Sequence, residues 1–115
     1  MSLQCVDMDI GEVTVIHLSG RVTLGEGTSA VRKAVRDALA RGRKNLLLDF
    51  GDVFYVDSSG LGELVTAHTT VRKAGGKLKL MKLREIARDL IQVTRLYTVF
   101  ETFPDEQSAL ASFAS

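Results

Sequence analysis

Leu46-Leu47-Leu48-Asp49-Phe50, then Leu61, Leu64, Val65, His68 and Arg72, then Lys77-Leu78-Lys79-Leu80: over these residues the apolar pattern changes period twice. The first run is apolar without alternation, which predicts a strand covered on both faces. Gly51-Asp52 reads as its end, with Phe54, Tyr55 and Val56 leading into Asp57-Ser58-Ser59-Gly60. The second set falls on one stripe of a helix, which Gly75-Gly76 terminates. The third alternates, so it predicts a strand with Lys77 and Lys79 on a polar face. A strand, a helix and a strand in this order form a parallel pair with a crossover helix.

The same reading extends in both directions. Val13 to Leu18 is β-branched-rich and bounded by Gly11 and Gly20, and Gln4 to Ile10 predicts a shorter strand joined to it through a Gly11-Glu12 turn. Gly25-Glu26-Gly27 predicts a loop. Val31, Ala34, Val35, Ala38 and Leu39 mark the stripe of a helix that Gly42 closes. The basic run Arg41-Gly42-Arg43-Lys44 reads first as a solvated helix end and only second as a phosphate-binding patch. Beyond residue 80, Ile86, Ala87, Leu90, Ile91 and Thr94 predict a third helix, Tyr97-Thr98-Val99-Phe100 a short last strand, and Asp105 the N-cap of a final helix burying Ala109, Leu110 and Phe113. The order β-β-α-β-α-β-α-β-α predicts an α/β domain with a largely parallel sheet and an antiparallel start.

With 115 residues the chain has the size of one domain, taken as residues 1–115, and a chain of this length buries roughly two thirds of its unfolded surface. Hydrophobic residues make up 45% and charged residues 25%, which excludes disorder as the main state. A formal net charge of +1 argues against a nucleic-acid partner and against an acidic membrane surface. Cys5 is the single cysteine, so no intrachain disulfide forms, in keeping with a reducing compartment; it reads as a buried strand residue rather than a nucleophile. Asp7, Asp9 and Glu12 lie where a secretion signal would need apolar residues. No apolar run approaches the ~20 residues of a membrane span. The expectation is a cytoplasmic protein.

The segment that carries function is Val56-Asp57-Ser58-Ser59-Gly60-Leu61-Gly62. It opens the second helix, with Asp57 or Ser58 as N-cap. A helix start offers unpaired N–H groups and partial positive charge, so a phosphate on a serine there would be stabilised. Gly60 and Gly62 would leave the helix open to a partner. The plainer reading is a good N-cap with two glycines beside it.

This segment resembles the phosphorylation-site signature of STAS domain proteins, the bacterial anti-sigma factor antagonists. Leu18-Ser19-Gly20, Leu46 to Phe50, Gly75-Gly76-Lys77-Leu78 and Leu96 to Phe100 fit the family's spacing, so the resemblance covers nearly the whole chain. It implies a mixed sheet of four or five strands with helices mainly on one face, and a partner switch instead of an enzyme. By that resemblance Ser58 is phosphorylated by an anti-sigma factor that is also a serine kinase, with Ser59 as the backup acceptor. The unphosphorylated form binds the anti-sigma factor and releases a sigma factor, and a phosphatase resets the cycle. Asp57, Ser58, Ser59, Gly60, Gly62, Arg21 and Thr23 are the expected partner-binding residues, and the contact surface is expected to include the loop from Arg21 to Gly27. One departure stands out: the family's Gly-x-(Leu/Val)-Asp run reads Gly20-Arg21-Val22-Thr23 here, so Thr23 replaces an acid.

Other classes fit less well. A Gly-x-Ser-x-Gly elbow is missing from Ser58-Ser59-Gly60-Leu61-Gly62, and Gly25-Glu26-Gly27-Thr28 lacks the lysine of a phosphate-binding loop. His17 falls in a strand and His68 on a core stripe, where a packed histidine is expected. No cysteine or histidine spacing suits a metal, and no cofactor is expected. A nucleotide-binding module and an unphosphorylated scaffold in a sensory complex are the competing readings.

Overall fold

The computed structural model describes residues 3–114. Its elements follow the predicted order: β1 (Leu3–Ile10), β2 (Val13–Val22), α1 (Glu26–Ala40), β3 (Asn45–Val56), α2 (Ser58–Lys73), β4 (Lys77–Met81), α3 (Glu85–Val93), a single 3-10 turn (Leu96–Thr98), β5 (Thr102–Phe103) and α4 (Glu106–Phe113). The five strands lie side by side in chain order. β1 runs antiparallel to β2, and β2 through β5 are parallel. Right-handed crossovers that all step the same way along a sheet must all lie on one face of it. Accordingly α1, α2 and α3 share the core around Ile16, Leu18, Leu46, Leu48, Phe50 and Leu80. α4 follows the last strand, is free of that constraint, and covers Val13, Val15, Leu47 and Met81 on the other face through Ala109, Leu110 and Phe113.

Gly11, at φ 59°, makes the hairpin turn, and Ile10 pairs with Val13 across it. Gly42, at φ 81°, follows the Arg41 C-cap of α1. Asp105 caps α4 by accepting from Ser108 N at 2.8 Å.

Five expectations are corrected. β3 does not stop at Gly51-Asp52. The Asp49 carboxylate accepts from Gly51 N at 2.8 Å, which bridges the irregularity, and the strand continues to Val56. Its register against β2 slips twice. His17↔Asp49 is followed by Ser19↔Asp52, and Gly20↔Val53 by Arg21↔Tyr55, so each step places one extra residue on β3. Second, the Gly25–Gly27 loop is already the start of α1. Gly25 is its N-cap, and Gly27 faces β2 so closely that a Cβ there would lie 2.8 Å from Arg21 O. Third, Tyr97 to Phe100 is not a strand. The N–H groups of Val99 and Phe100 donate to Leu96 O within the chain's own turn, and the last strand forms at Thr102–Phe103, beside Leu80 and Met81.

Fourth, Lys79 does not face solvent. It is 3% exposed under α4, where its Nζ donates to Ser112 Oγ at 2.9 Å and sits 4.6 Å from the Phe113 ring and 3.3 Å from Glu101. Fifth, the basic run after α1 is a clamp rather than a free helix end. Arg41 pairs with Asp7 and Asp9 of β1, and Arg43 donates to Thr14 Oγ1 and Gly11 O at 2.8 Å each. Thr14's hydroxyl first, and Arg41 next, hold the Asp9 carboxyl below its usual range.

Candidate functional site at the start of α2

β2, β3 and α2 bring the functional segment together where the parallel strands end. Val22 pairs with Val56, and the chain turns at once into α2. Asp57 is the N-cap: its Oδ1 accepts from Gly60 N at 2.7 Å. Its Oδ2 accepts from Leu24 N at 3.1 Å, and its own N–H donates to Val22 O at 3.3 Å. One carboxylate therefore ties the β2–α1 segment to the helix start, and both its oxygens are occupied by backbone donors.

Ser58 is the first helical residue. It is exposed, and its hydroxyl has no hydrogen-bond partner among the described residues. Ser59 is half-buried. Gly62 is exposed, and a Cβ there would meet nothing within 4 Å. Gly60 differs from the expectation. It is buried, and a Cβ would come within 1.9 Å of Val22 O. Its missing side chain serves the close approach of α2 to β2, so of the two glycines only Gly62 faces outward.

Arg21 is exposed, with its guanidinium 5.9 Å from the centre of the Phe54 ring. Thr23 is half-buried, and its carbonyl accepts from Thr28 N at 3.0 Å. The structure thus joins residues 21–28 to residues 56–60, through Asp57, Gly60 and the Val22–Val56 pair.

Two residues at this end, Phe54 and Tyr55, escaped the sequence reading, while Leu24 lies in the loop expected to belong to the contact surface. Leu24, Phe54 and Tyr55 are 75%, 54% and 45% exposed. Phe54 and Tyr55 sit in an apolar run, which local pattern assigns to a core. The register slips break the two-residue period, so Val53 and Val56 point inward while the pair between them points out. Gly51, read from the sequence as the strand's end, lies in the first slip, and no residue of β3 marks the second.

Elsewhere, His17 Nδ1 lies 2.7 Å from Asp49 Oδ2 on the sheet. His68 packs edge-on against Phe100, with ring centroids 5.6 Å apart. Burial, and then Arg72, press its imidazole below the usual histidine range. Cys5 is half-buried, and burial, then Asp7, push its thiol up to about 11, away from nucleophile chemistry. No helix among the described residues is long and apolar enough to cross a membrane.

Residues 8–109 match the STAS domain family. The anti-sigma-B factor antagonist of Bacillus subtilis is 38% identical over 86 residues, which span 75% of this chain and 77% of that protein. BtrV of Bordetella bronchiseptica is 25% identical over 73 residues; the match spans 64% of this chain and 63% of BtrV, just under two thirds of its length. Among solved structures, the Bacillus cell-fate determinant SpoIIAA superposes in its phosphorylated form with a TM-score of 0.71 at 20% identity, covering 96% of this chain and 98% of that one. Its unphosphorylated form gives 0.70 at 19% identity, covering 99% of each chain. With the five-stranded mixed sheet and the Asp57–Gly62 helix start in place, this chain belongs to the STAS domain family of anti-sigma factor antagonists.

Proposed function

We propose that this protein is a phosphorylation-gated partner switch whose acceptor is Ser58. The observation that carries the reading is an exposed, unpartnered serine hydroxyl at the first position of a helix, beside a loop that Asp57 holds in place. A serine-kinase anti-sigma factor docks on this surface and transfers the γ-phosphoryl group of ATP to Ser58 Oγ. The hydroxyl proton leaves, the Oγ–P bond forms as the bond to ADP breaks, and the complex dissociates. A phosphatase returns the serine. A phosphoserine brings about −1.5 to −2 charges to the contact surface. Every ~1.4 kcal/mol of lost docking energy weakens binding tenfold, so a few suffice to dissolve a micromolar complex. SpoIIAA, solved both with and without its phosphate, supports the reading, because in that protein the shared fold accommodates the modification.

Ser58→Ala tests it. The fold should persist, because Asp57 and not Ser58 supplies the cap. Phosphopeptide mass spectrometry after incubation with the kinase and ATP should find label at Ser58 in the wild type and none in the variant. Titration calorimetry should show that the variant still binds after exposure to ATP. A wild-type protein that binds the anti-sigma factor and is never labelled would put an unphosphorylated scaffold in place of the switch.

A further inference from the structure

We propose that the chain forms a two-fold dimer by pairing β1 edge to edge with β1 of a second copy, with Val6 opposite Val6 at the axis. This surface is separate from the helix start at Ser58, which follows β3, two strands in from the edge.

β1 pairs with β2 and ends the sheet among the described residues. Its outer side presents unpaired backbone N–H and C=O groups at every second residue. Folded proteins blunt such an edge with shortness, a bulge, a proline or a lysine. β1 has none of these. It is 8 residues long, holds one unbroken register against β2, and contains neither proline nor lysine. At the opposite edge β5 is 2 residues long.

Asp7 and Asp9 are the only charges of β1, and both are answered within the chain. Arg41 lies 3.4 Å from Asp7 and 3.3 Å from Asp9, and Arg43 lies 3.6 Å from Asp9. The alternate residues Val6 and Met8 face the other side of the sheet and are 62% and 54% exposed. They extend the row of Ile10, Val13 and Val15 beyond what α4 covers.

The occupant follows from the registers that β1 permits with itself. Antiparallel pairing about a two-fold axis sets one residue opposite itself. Centred on Asp7 it sets carboxylate against carboxylate, and centred on Met8 it sets Asp7 against Asp9 on both sides of the axis. Like charges directly opposite are unfavourable. Centred on Cys5 it pairs only Leu3 to Asp7 of the described strand. Centred on Val6 it pairs Leu3 to Asp9 of both copies, with Asp7 opposite Cys5 and Asp9 opposite Leu3. Met8 then lies opposite Gln4 and diagonal to Val6 of the other copy, so the exposed apolar side chains of both copies meet. α1 lies over β1, where Cys5 Sγ reaches Ala30 O at 3.8 Å, and runs antiparallel to its copy across the seam. Its outer side carries Ala30, Lys33, Ala34 and Asp37, which line a groove of about 280 Å³ with Cys5 and Asp7. The alanines admit close approach, and the exposed Lys33 and Asp37 offer each copy a charge opposite to one on the other. A two-fold contact requires such a self-complementary patch.

Sedimentation velocity of the full chain from about 5 to about 500 μM tests the proposal, since a small interface dissociates in that range. The expected result is a reversible monomer–dimer equilibrium. Val6→Lys sets two ammonium groups face to face and should weaken the dimer about tenfold or more, with the circular dichroism spectrum unchanged. Oxidation in a Cys5→Ser background reads the register. Directly opposed Cβ atoms stand about 4.5–5.5 Å apart, within reach of a disulfide after a small adjustment. Val6→Cys alone should give a covalent dimer. Gln4→Cys and Met8→Cys should each stay uncoupled alone and cross-link when mixed. A chain that stays monomeric throughout, a dimer indifferent to Val6→Lys, or self-coupling of Met8→Cys in place of Val6→Cys would each overturn the proposal.

Discussion

Two glycines two residues apart in α2 have opposite reasons for being there. Gly60 lies against β2, where a methyl group would stand 1.9 Å from Val22 O, and its amide caps on Asp57. Gly62 faces open space. Gly60→Ala must push α2 away from β2 and should lower stability by about 1–3 kcal/mol or more. Gly62→Ala adds helix propensity without a clash and should raise stability by up to about 1 kcal/mol. Urea denaturation of the two variants checks both signs. Calorimetry would then read the partner's side, because Gly62 belongs to the exposed surface beside Ser58.

At the scale of elements, α4 is held to the sheet by a lysine. Lys79 is buried because α4 lies over it, and Ser112 and the rings of Phe113 and Phe103 surround its ammonium. Lys79→Met keeps most of the packing and leaves no buried charge alone, so it should stay within about 1 kcal/mol of wild type. Lys79→Ala opens a cavity between α4 and β4 and should cost about 2–4 kcal/mol. Urea midpoints separate the two. In α2, His68 supplies a pH dependence. Burial first and Arg72 second lower its folded-state pKa from the usual 6.5, so the unfolded chain takes up the proton more readily. Stability should therefore fall as pH drops from about 7 through the usual histidine value, and this contribution levels off once the folded imidazole is also charged. Thermal melts of wild type and His68→Gln across that window should differ in slope, with the variant flatter.

For the whole molecule, the sheet is unevenly secured. β2 pairs along its length with both neighbours, whereas β5 joins β4 through two residue pairs only. Opening from the β5–α4 end therefore breaks far fewer contacts than opening the centre. Native-state hydrogen exchange should show β5 and α4 amides exchanging well before those of Val15, Ile16, Leu47 and Leu48. Uniform exchange across the sheet would contradict this. The end that carries Ser58 lies on the firmly held β2–β3 pair, as the proposed phosphoswitch would require of a surface that keeps its shape.

The residues alone determined the alternation of strands and helices, the hairpin at Gly11, the end of α1 at Gly42 and the cap of α4 at Asp105. They also placed Ser58 at the start of α2. Each of these is a local matter of period, turn chemistry or a side chain within a few residues of the backbone group it serves. The tertiary structure decided the rest. It put Gly60 against Val22, buried Lys79 beneath α4, moved the last strand from Tyr97–Phe100 to Thr102–Phe103, and turned Phe54 and Tyr55 out to solvent. A pattern of two or 3.6 residues says which side chains share a face. Which face is covered depends on partners distant in the chain, and an extra residue in a strand reverses the answer for every residue beyond it.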